Sequence, residues 1–218
     1  MNLKTLGHCP LFKGLTPDEI SETLTALSAR YQNYKKNDYI FHTEGRAGMI
    51  GIVLSGKVHV IREDYWGNRS LLAPIGIGDM FGEAFACAGV THLPVSVIAA
   101  EAAAICFIDH QKFFSVTALS SPAQTQLIRN MLQILAGKNI TLTQKIEHIS
   151  KRSLREKMLS YLSSLAIETG SNELHLPFNR QELANYLSVD RSALSRELSH
   201  MQKDGIIYYK GSAIKLLK

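Results

Sequence analysis

Ile128, Leu132, Leu135, Asn139, Leu142, Ile146 and Ile149 stand at alternating spacings of four and three. A 3.5-residue period kept this long requires a continuous α-helix with these side chains along one seam. The pattern predicts a single helix over residues 121–150. Asn139 falls at an a position of the heptad. A lone asparagine there pairs with its own copy across a parallel two-stranded coil and sets register at some cost in stability. The competing reading lays the stripe on the chain's own barrel. The unbroken period and the polar residue inside it favour a homodimer with these seven residues at the interface. Leu127, Met131 and Ile134 lie outside the seam and are free to face the barrel.

After the seam the chain breaks and restarts. Ser150, Lys151 and Arg152 interrupt the period, and Ser153 with Glu156 forms a capping box that opens a fresh helix. Gly170-Ser171-Asn172 ends it, and ELHLPF (173–178) suits a small strand pair. Asn179 with Glu182 is a second capping box, opening a short helix that carries Leu183, Ala184 and Leu187. Ser188-Val189-Asp190 breaks it, and Asp190 caps another helix. That helix buries Ala193, Leu194, Leu198 and Met201, and its other face presents Arg191, Ser192, Ser195, Arg196 and His200. Two helices across a three-residue turn, with arginine and serine near the start of the second, have the layout that reads a major groove. The arginine fork suits guanine because it meets O6 and N7 together. A helical corner with a solvated charged face is the alternative, and the absence of glycine from the turn favours it. IIYY (206–209), a Lys210-Gly211-Ser212 turn and AIKLL (213–217) weigh the other way, because they read as a β-hairpin wing.

Charge placement agrees with a nucleic-acid partner. Residues 1–136 hold 11 Lys+Arg against 11 Asp+Glu, while residues 137–218 hold 13 against 8, so the net +5 sits in the last third. A basic region beside a neutral one fits a phosphate-backbone ligand for the former. Before residue 121 the pattern differs. Residues 1–30 read as helical, with Thr16, Pro17 and Glu19 as a helix start. From Tyr31 to about Ile108, short apolar runs punctuated by glycine suggest seven or eight strands in an antiparallel sandwich or barrel. Cys9, Cys87 and Cys106 are scattered and odd in number, which argues against a disulfide framework and against an iron–sulfur site. The eight histidines form no metal-ligand pair, and no Ser-His-acid set, phosphate loop or paired carboxylate stands out. An enzyme and a metal protein are therefore not expected. MNLKTLGHCPLF is too broken for a secretory leader and no stretch approaches membrane-spanning length, so a cytoplasmic protein without membrane contact is expected.

GDMFGE (78–83), RQELA (180–184) and DRSALSREL (190–198), in this order around a long helix, resemble the CRP/FNR family of bacterial transcription regulators over essentially the whole chain. The resemblance implies an α+β protein: an N-terminal double-stranded β-roll over 1–120, a long dimerisation helix over 121–150, and a C-terminal winged helix-turn-helix over 151–218. It implies a homodimer on a palindromic double-stranded operator, with RNA polymerase as a second partner if the protein activates. Arg180, Arg191, Ser192, Ser195, Arg196 and His200 are the candidate DNA-binding residues. Ser192 stands where a glutamate usually reads cytosine, so the operator is expected to differ at that base. The alternative function is a β-roll sensor whose C-terminal helices bind a protein.

The resemblance also supplies a pocket: Phe81, Gly82, Glu83, Leu93, Pro94, Val95 and Thr143. Cyclic AMP carries a phosphate charge that burial penalises unless arginine or an equivalent set of donors meets it. Cyclic-AMP-binding members place an Arg-Ser or Arg-Thr pair where this chain has Leu93 and Pro94, and proline also lacks a backbone donor. Of the hydroxyl pair offered to adenine, only Thr143 remains. Cyclic AMP is therefore not the expected effector. Apolar walls near Phe81, Phe85, Leu93 and Val95 suit a small uncharged or aromatic molecule. His42 and His92 are the haem-ligand candidates by position, and neither has a partner motif.

Overall fold

The computed structural model describes residues 3–43, 45, 48–66, 69–113 and 122–217, the side chains of 3, 4 and 69 excepted. The chain divides into two compact units, 1–136 and 137–218. The expected boundary between 120 and 121 lies outside the described residues.

The first unit opens with α1 (Leu3–His8), a 3-10 turn (Pro10–Phe12) and α2 (Pro17–Ala26). Thr16 and Glu19 close the capping box at α2: the Glu19 amide donates to Thr16 Oγ1 at 3.3 Å and the Thr16 amide to Glu19 Oε2 at 2.8 Å. Among the described residues eight strands follow: β1 (Arg30–Tyr34), β2 (Tyr39–Phe41), β3 (Met49–Ser55), β4 (Val58–Glu63), β5 (Arg69–Ile75), β6 (Met80–Phe81), β7 (Ser96–Ala99) and β8 (Ala103–Asp109). They form two antiparallel sheets, ordered β1-β8-β3-β6 and β2-β7-β4-β5. Two short helices, α3 (Glu83–Cys87) and α4 (His110–Phe113), are too brief to show a period in sequence.

The sheet containing β3 and β8 is covered on both faces. On β8, Ala103, Ile105 and Phe107 join a cluster with Val97 and Ala99 of the other sheet, while Cys106 and Ile108 join one with α2. On β3, Val53 faces the first cluster and Ile50, Ile52 and Leu54 the second. A strand buried on both sides shows no polar alternation, which is why IGIVL reads as one apolar run. The second cluster also receives α5 (Pro122–Ile149), which buries Leu127 and Met131 there. Buried Asn130 fastens the helix: its Nδ2 donates to the Leu11 and Lys13 carbonyls, each at 2.8 Å.

The second unit takes the rest of α5, then α6 (Leu154–Thr169), β9 (Glu173–His175), α7 (Arg180–Tyr186), α8 (Arg191–Lys203), β10 (Ile207–Lys210) and β11 (Ala213–Leu216). The strands pair antiparallel in the order β10-β11-β9, so ELHLPF contributes one strand rather than a pair. Met158, Leu162, Leu183, Leu194, Leu198, Met201, Ile207 and Ile214 share one core. The expected breaks are geometric facts here. Ser153 and Asn179 cap α6 and α7 in reciprocal boxes with Glu156 and Glu182, and Gly170 ends α6 at φ +63°. The α7–α8 turn places Ser188 at φ +54°, a left-handed position where glycine is the usual occupant.

Gly51 on β3 is required by its neighbour. A Cβ there would meet the Phe81 ring at 2.2 Å, and that ring is held in turn by Phe41 and Phe107 at centroid distances of 5.3 and 6.4 Å. Overpacking of this kind typically costs about 1–3 kcal/mol. Gly51→Ala is expected to lower the urea midpoint accordingly, and an unchanged midpoint would mean that the Phe81 ring yields.

Candidate nucleic-acid interface

The α7–α8 pair meets the requirements of a groove-reading element. Asp190 caps α8 by accepting from the Ala193 amide at 2.9 Å, and its Oδ1 also accepts from Ser192 Oγ at 2.5 Å. These bonds, with Arg196 nearby, hold the Asp190 carboxyl below its ordinary range. Leu194, Leu198 and Met201 anchor the helix in the core. Arg191, Ser192, Ser195, Arg196 and His200 are all exposed on the opposite face. Ser195 Oγ donates back to the Arg191 carbonyl at 3.0 Å.

Arg180 is placed differently. Its guanidinium donates to the Gly211 carbonyl at 2.7 Å and lies 5.2 Å from the Tyr209 ring centroid. It therefore ties the start of α7 to the β10–β11 turn. Tyr209 is held again by Ser199 of α8 through a 3.2 Å contact between hydroxyls. The wing is thus fastened to both helices.

Along α5, Leu132, Leu142 and Ile146 are 63%, 59% and 61% exposed, and Asn139 between them is exposed as well. Ile149 is half-buried. Ile128 and Leu135 are also half-buried, packed with Ile134 against the core of the first unit, so these two seam residues do not stand wholly outward. Thr143 is exposed in the second unit and donates to the Asn139 carbonyl at 3.0 Å.

In the roll, Phe81 fills the space between the sheets, Leu93 and Val95 are buried, Phe85 is half-buried and Pro94 is exposed. Gly82 takes φ +82°, and a Cβ there would stand 2.9 Å from the Phe41 ring. Glu83 is 3% exposed, the buried ionisable residue among the described side chains of this unit apart from thiols. His42 stacks on Tyr39 at 4.3 Å, and His92 Nδ1 lies 3.0 Å from Thr91 Oγ1. Among the described residues no three His, Cys, Asp or Glu side chains converge as metal ligands. Among the described residues no two cysteines form a disulfide, and burial pushes the Cys106 thiol up to about 11, away from thiolate chemistry. Among them too, no helix is long and apolar enough to cross a membrane.

Two residues that sequence reasoning passed over organise the second unit. Arg155 of α6 is bound to carboxylates of α8 far along the chain. His148, in the last turn of α5, is 2% exposed and shares a 2.9 Å hydrogen bond with Ser160 of α6. Its ring lies 5.8 Å from Tyr161 of α6 and 6.2 Å from Tyr186 of α7, so one imidazole joins three helices. Lys145 of α5 stands 5.6 Å from the Tyr186 ring. No local motif announces either residue, because their partners are distant in sequence.

Residues 31–119 match the family model of the cyclic nucleotide-binding domain, and residues 156–218 match that of the Crp-like helix-turn-helix domain. The chain is similar to a probable transcriptional regulator, flp, of Lacticaseibacillus casei, with 25% identity over 208 residues, 95% of this chain and 91% of the relative. It is also similar to the cyclic AMP receptor protein of Thermus thermophilus, with 25% identity over 199 residues, 91% of this chain and 88% of the relative. Among solved structures, the c-di-GMP responsive global regulator CLP of Xanthomonas campestris aligns with a TM-score of 0.61 at 20% identity, over 93% of this chain and 100% of that one. A mutant of CooA from Carboxydothermus hydrogenoformans aligns at 0.62 and 22%, over 94% and 88%. At these identities the structural likeness speaks for the fold alone.

The His148 junction carries a pH dependence of known sign. Burial lowers its pKa first, neighbouring Lys151 adds to this, and Glu147 opposes it. The unfolded chain therefore binds the proton more readily than the folded one. The contribution is complete above the ordinary histidine value of about 6.5 and is lost as pH falls through the depressed folded value. Urea unfolding between about pH 7.5 and pH 5 should show the wild type losing more stability than His148→Gln. Parallel curves would mean that His148 titrates as it does in the unfolded chain.

Proposed function

From a chain that belongs to the CRP/FNR family of DNA-binding transcription regulators, with a cyclic-nucleotide-binding-like sensor domain, we propose a homodimer that sets α8 of each copy into successive major grooves of a palindromic operator. The observation that carries this reading is the split face of α8: Leu194, Leu198 and Met201 in the core, Arg191, Ser192, Ser195, Arg196 and His200 outward. Arg191 and Arg196 read guanine, each good bidentate contact contributing roughly 1–3 kcal/mol of discrimination. Arg180 acts on DNA through the wing it holds. The relatives are transcription regulators rather than enzymes, and no catalytic role is assigned.

The exposed stripe of Leu132, Leu142 and Ile146 about Asn139 supports a parallel two-stranded contact between copies. Two recognition helices then stand about 34 Å apart, one turn of the duplex. RNA polymerase is the second partner if the protein activates. Operator occupancy responds to a signal in the roll, passed along α5 and the break after it.

That signal is not cyclic AMP. The ionisable side chain buried in the roll, among the described side chains and thiols apart, is the carboxyl of Glu83 rather than a lysine or arginine. Leu93 and exposed Pro94 offer no cation to a phosphate. Aromatic rings of Phe41, Phe81 and Phe107 line the interior, an environment for a small uncharged or aromatic molecule.

Arg196→Ala is expected to weaken binding to a duplex selected by the wild type by about ten- to a hundredfold, with the dimer mass retained in light scattering. A monomeric variant would instead give Arg196 a structural role. Calorimetry with cyclic AMP is expected to register no binding, and a micromolar Kd would overturn the assignment of the roll.

A further inference from the structure

Arg155 is the second residue of α6, two positions past the cap Ser153. Its side chain crosses to α8 and meets two carboxylates there. Nε stands 2.6 Å from Glu197 Oε1, and one terminal nitrogen stands 2.7 Å from Asp204 Oδ2. Glu197 and Asp204 are seven residues apart, two turns, and so lie on one face of the helix. Asp204 is the C-cap of α8, its amide donating to the His200 carbonyl at 2.9 Å. The guanidinium therefore holds the recognition helix at its middle and at its end.

The charges matter as much as the distances. One cation answers two anions, so the cluster keeps a net negative charge beside a face otherwise lined by Arg191 and Arg196. A phosphate would be repelled from this cluster rather than drawn to Arg155. The second oxygen of Glu197, Oε2, lies 3.9 Å from His200 Nδ1 on the exposed face. The chain of contacts runs Arg155, Glu197, His200, with Arg196 adjacent to Glu197 in sequence. An isolated exposed ion pair contributes little to stability. A planar fork with directional donors to two anchors does something else, because it restricts the angle between α6 and α8.

We propose that Arg155 is a positioning residue for DNA recognition, orienting α8 from the protein side so that Arg196 and His200 meet the groove. It rests on the reading of α8 as the recognition helix. Arg155 touches no DNA. It sits at the start of the helix that follows the break, so displacement of that start moves the grip on α8.

The experiment uses the full chain, a duplex that the wild type selects from a random-sequence pool, and a scrambled duplex of the same length. Arg155→Ala is expected to lower affinity for the selected duplex by about tenfold and to leave the scrambled one nearly unchanged. Misfolding would lower both together. The slope of log affinity against log salt should match the wild type, since no phosphate contact is lost. Arg155→Lys should regain part of the discrimination, because an ammonium can meet one carboxylate but not fork across two. Glu197→Gln combined with Asp204→Asn should reproduce the loss without touching Arg155, and keeps the test alive if Arg155→Ala does not fold. A slope shallower by about one would make Arg155 a phosphate contact and overturn the proposal. Undiminished discrimination in the folded variants would overturn it as well. A wild type that enriches no sequence would sink the DNA reading itself. Hydrogen exchange then separates the two failures: faster exchange of α8 amides in Arg155→Ala upholds the grip, and unchanged exchange ends it.

Discussion

A 28-residue helix carries more apolar surface than one body can cover, and α5 distributes it. Leu127 and Met131 enter the core of the first unit, and Asn130 between them caps two carbonyls of the N-terminal turn. Its next turns keep Leu132, Leu142 and Ile146 in solvent. Leaving that much hydrocarbon exposed is unfavourable at roughly 25 cal/mol per Å². The proposed dimer follows from this constraint more than from any motif. Asn139 adds specificity: a polar group within such a stripe disfavours shifted registers in which it would meet leucine.

The arginines of the second unit divide their labour by position. Arg155 and Arg180 reach inward, one to α8 and one to the wing turn. Arg191 and Arg196 extend outward from a helix that buries Leu194, Leu198 and Met201, while Ala193, expected in the core, is half-buried. An outward cation remains hydrated until a phosphate or base edge replaces the water. An inward one fixes geometry beforehand, lowering the ordering that binding must accomplish. The net positive charge of residues 137–218 thus overstates the number of groups free to meet a ligand.

The roll is built around apolar side chains. Its interior holds aromatic rings packed edge to face, with Gly51 giving Phe81 the room it needs. Two sheets packed through apolar side chains leave little polar surface between them, and Glu83 and Ser96 are the buried polar residues of the roll among the described side chains. Ser96 is accounted for by Thr43, whose amide donates to it at 2.9 Å. On the proposed reading, a sensor of this composition recognises shape and apolar area before charge.

Local chemistry was legible in the sequence wherever the interacting groups lie within one turn. The capping boxes at Thr16, Ser153 and Asn179, the cap at Asp190 and the core face of α8 are all of this kind, because a helix brings residues three and four apart together whatever surrounds it. The heptad seam was equally visible, yet which of its members turn outward was not: Ile128 and Leu135 are drawn to the first unit by a core assembled from strands far away in the chain. No local pattern placed the Gly211 carbonyl and the Tyr209 ring beside Arg180. Arg155 and His148 carried no signal at all, since their partners lie between 12 and 49 positions off. Sequence determined the longer helices, their ends and their polar faces, which depend on neighbours along the backbone. Only the tertiary structure decided which cations point in and which point out, because that depends on groups brought close by packing.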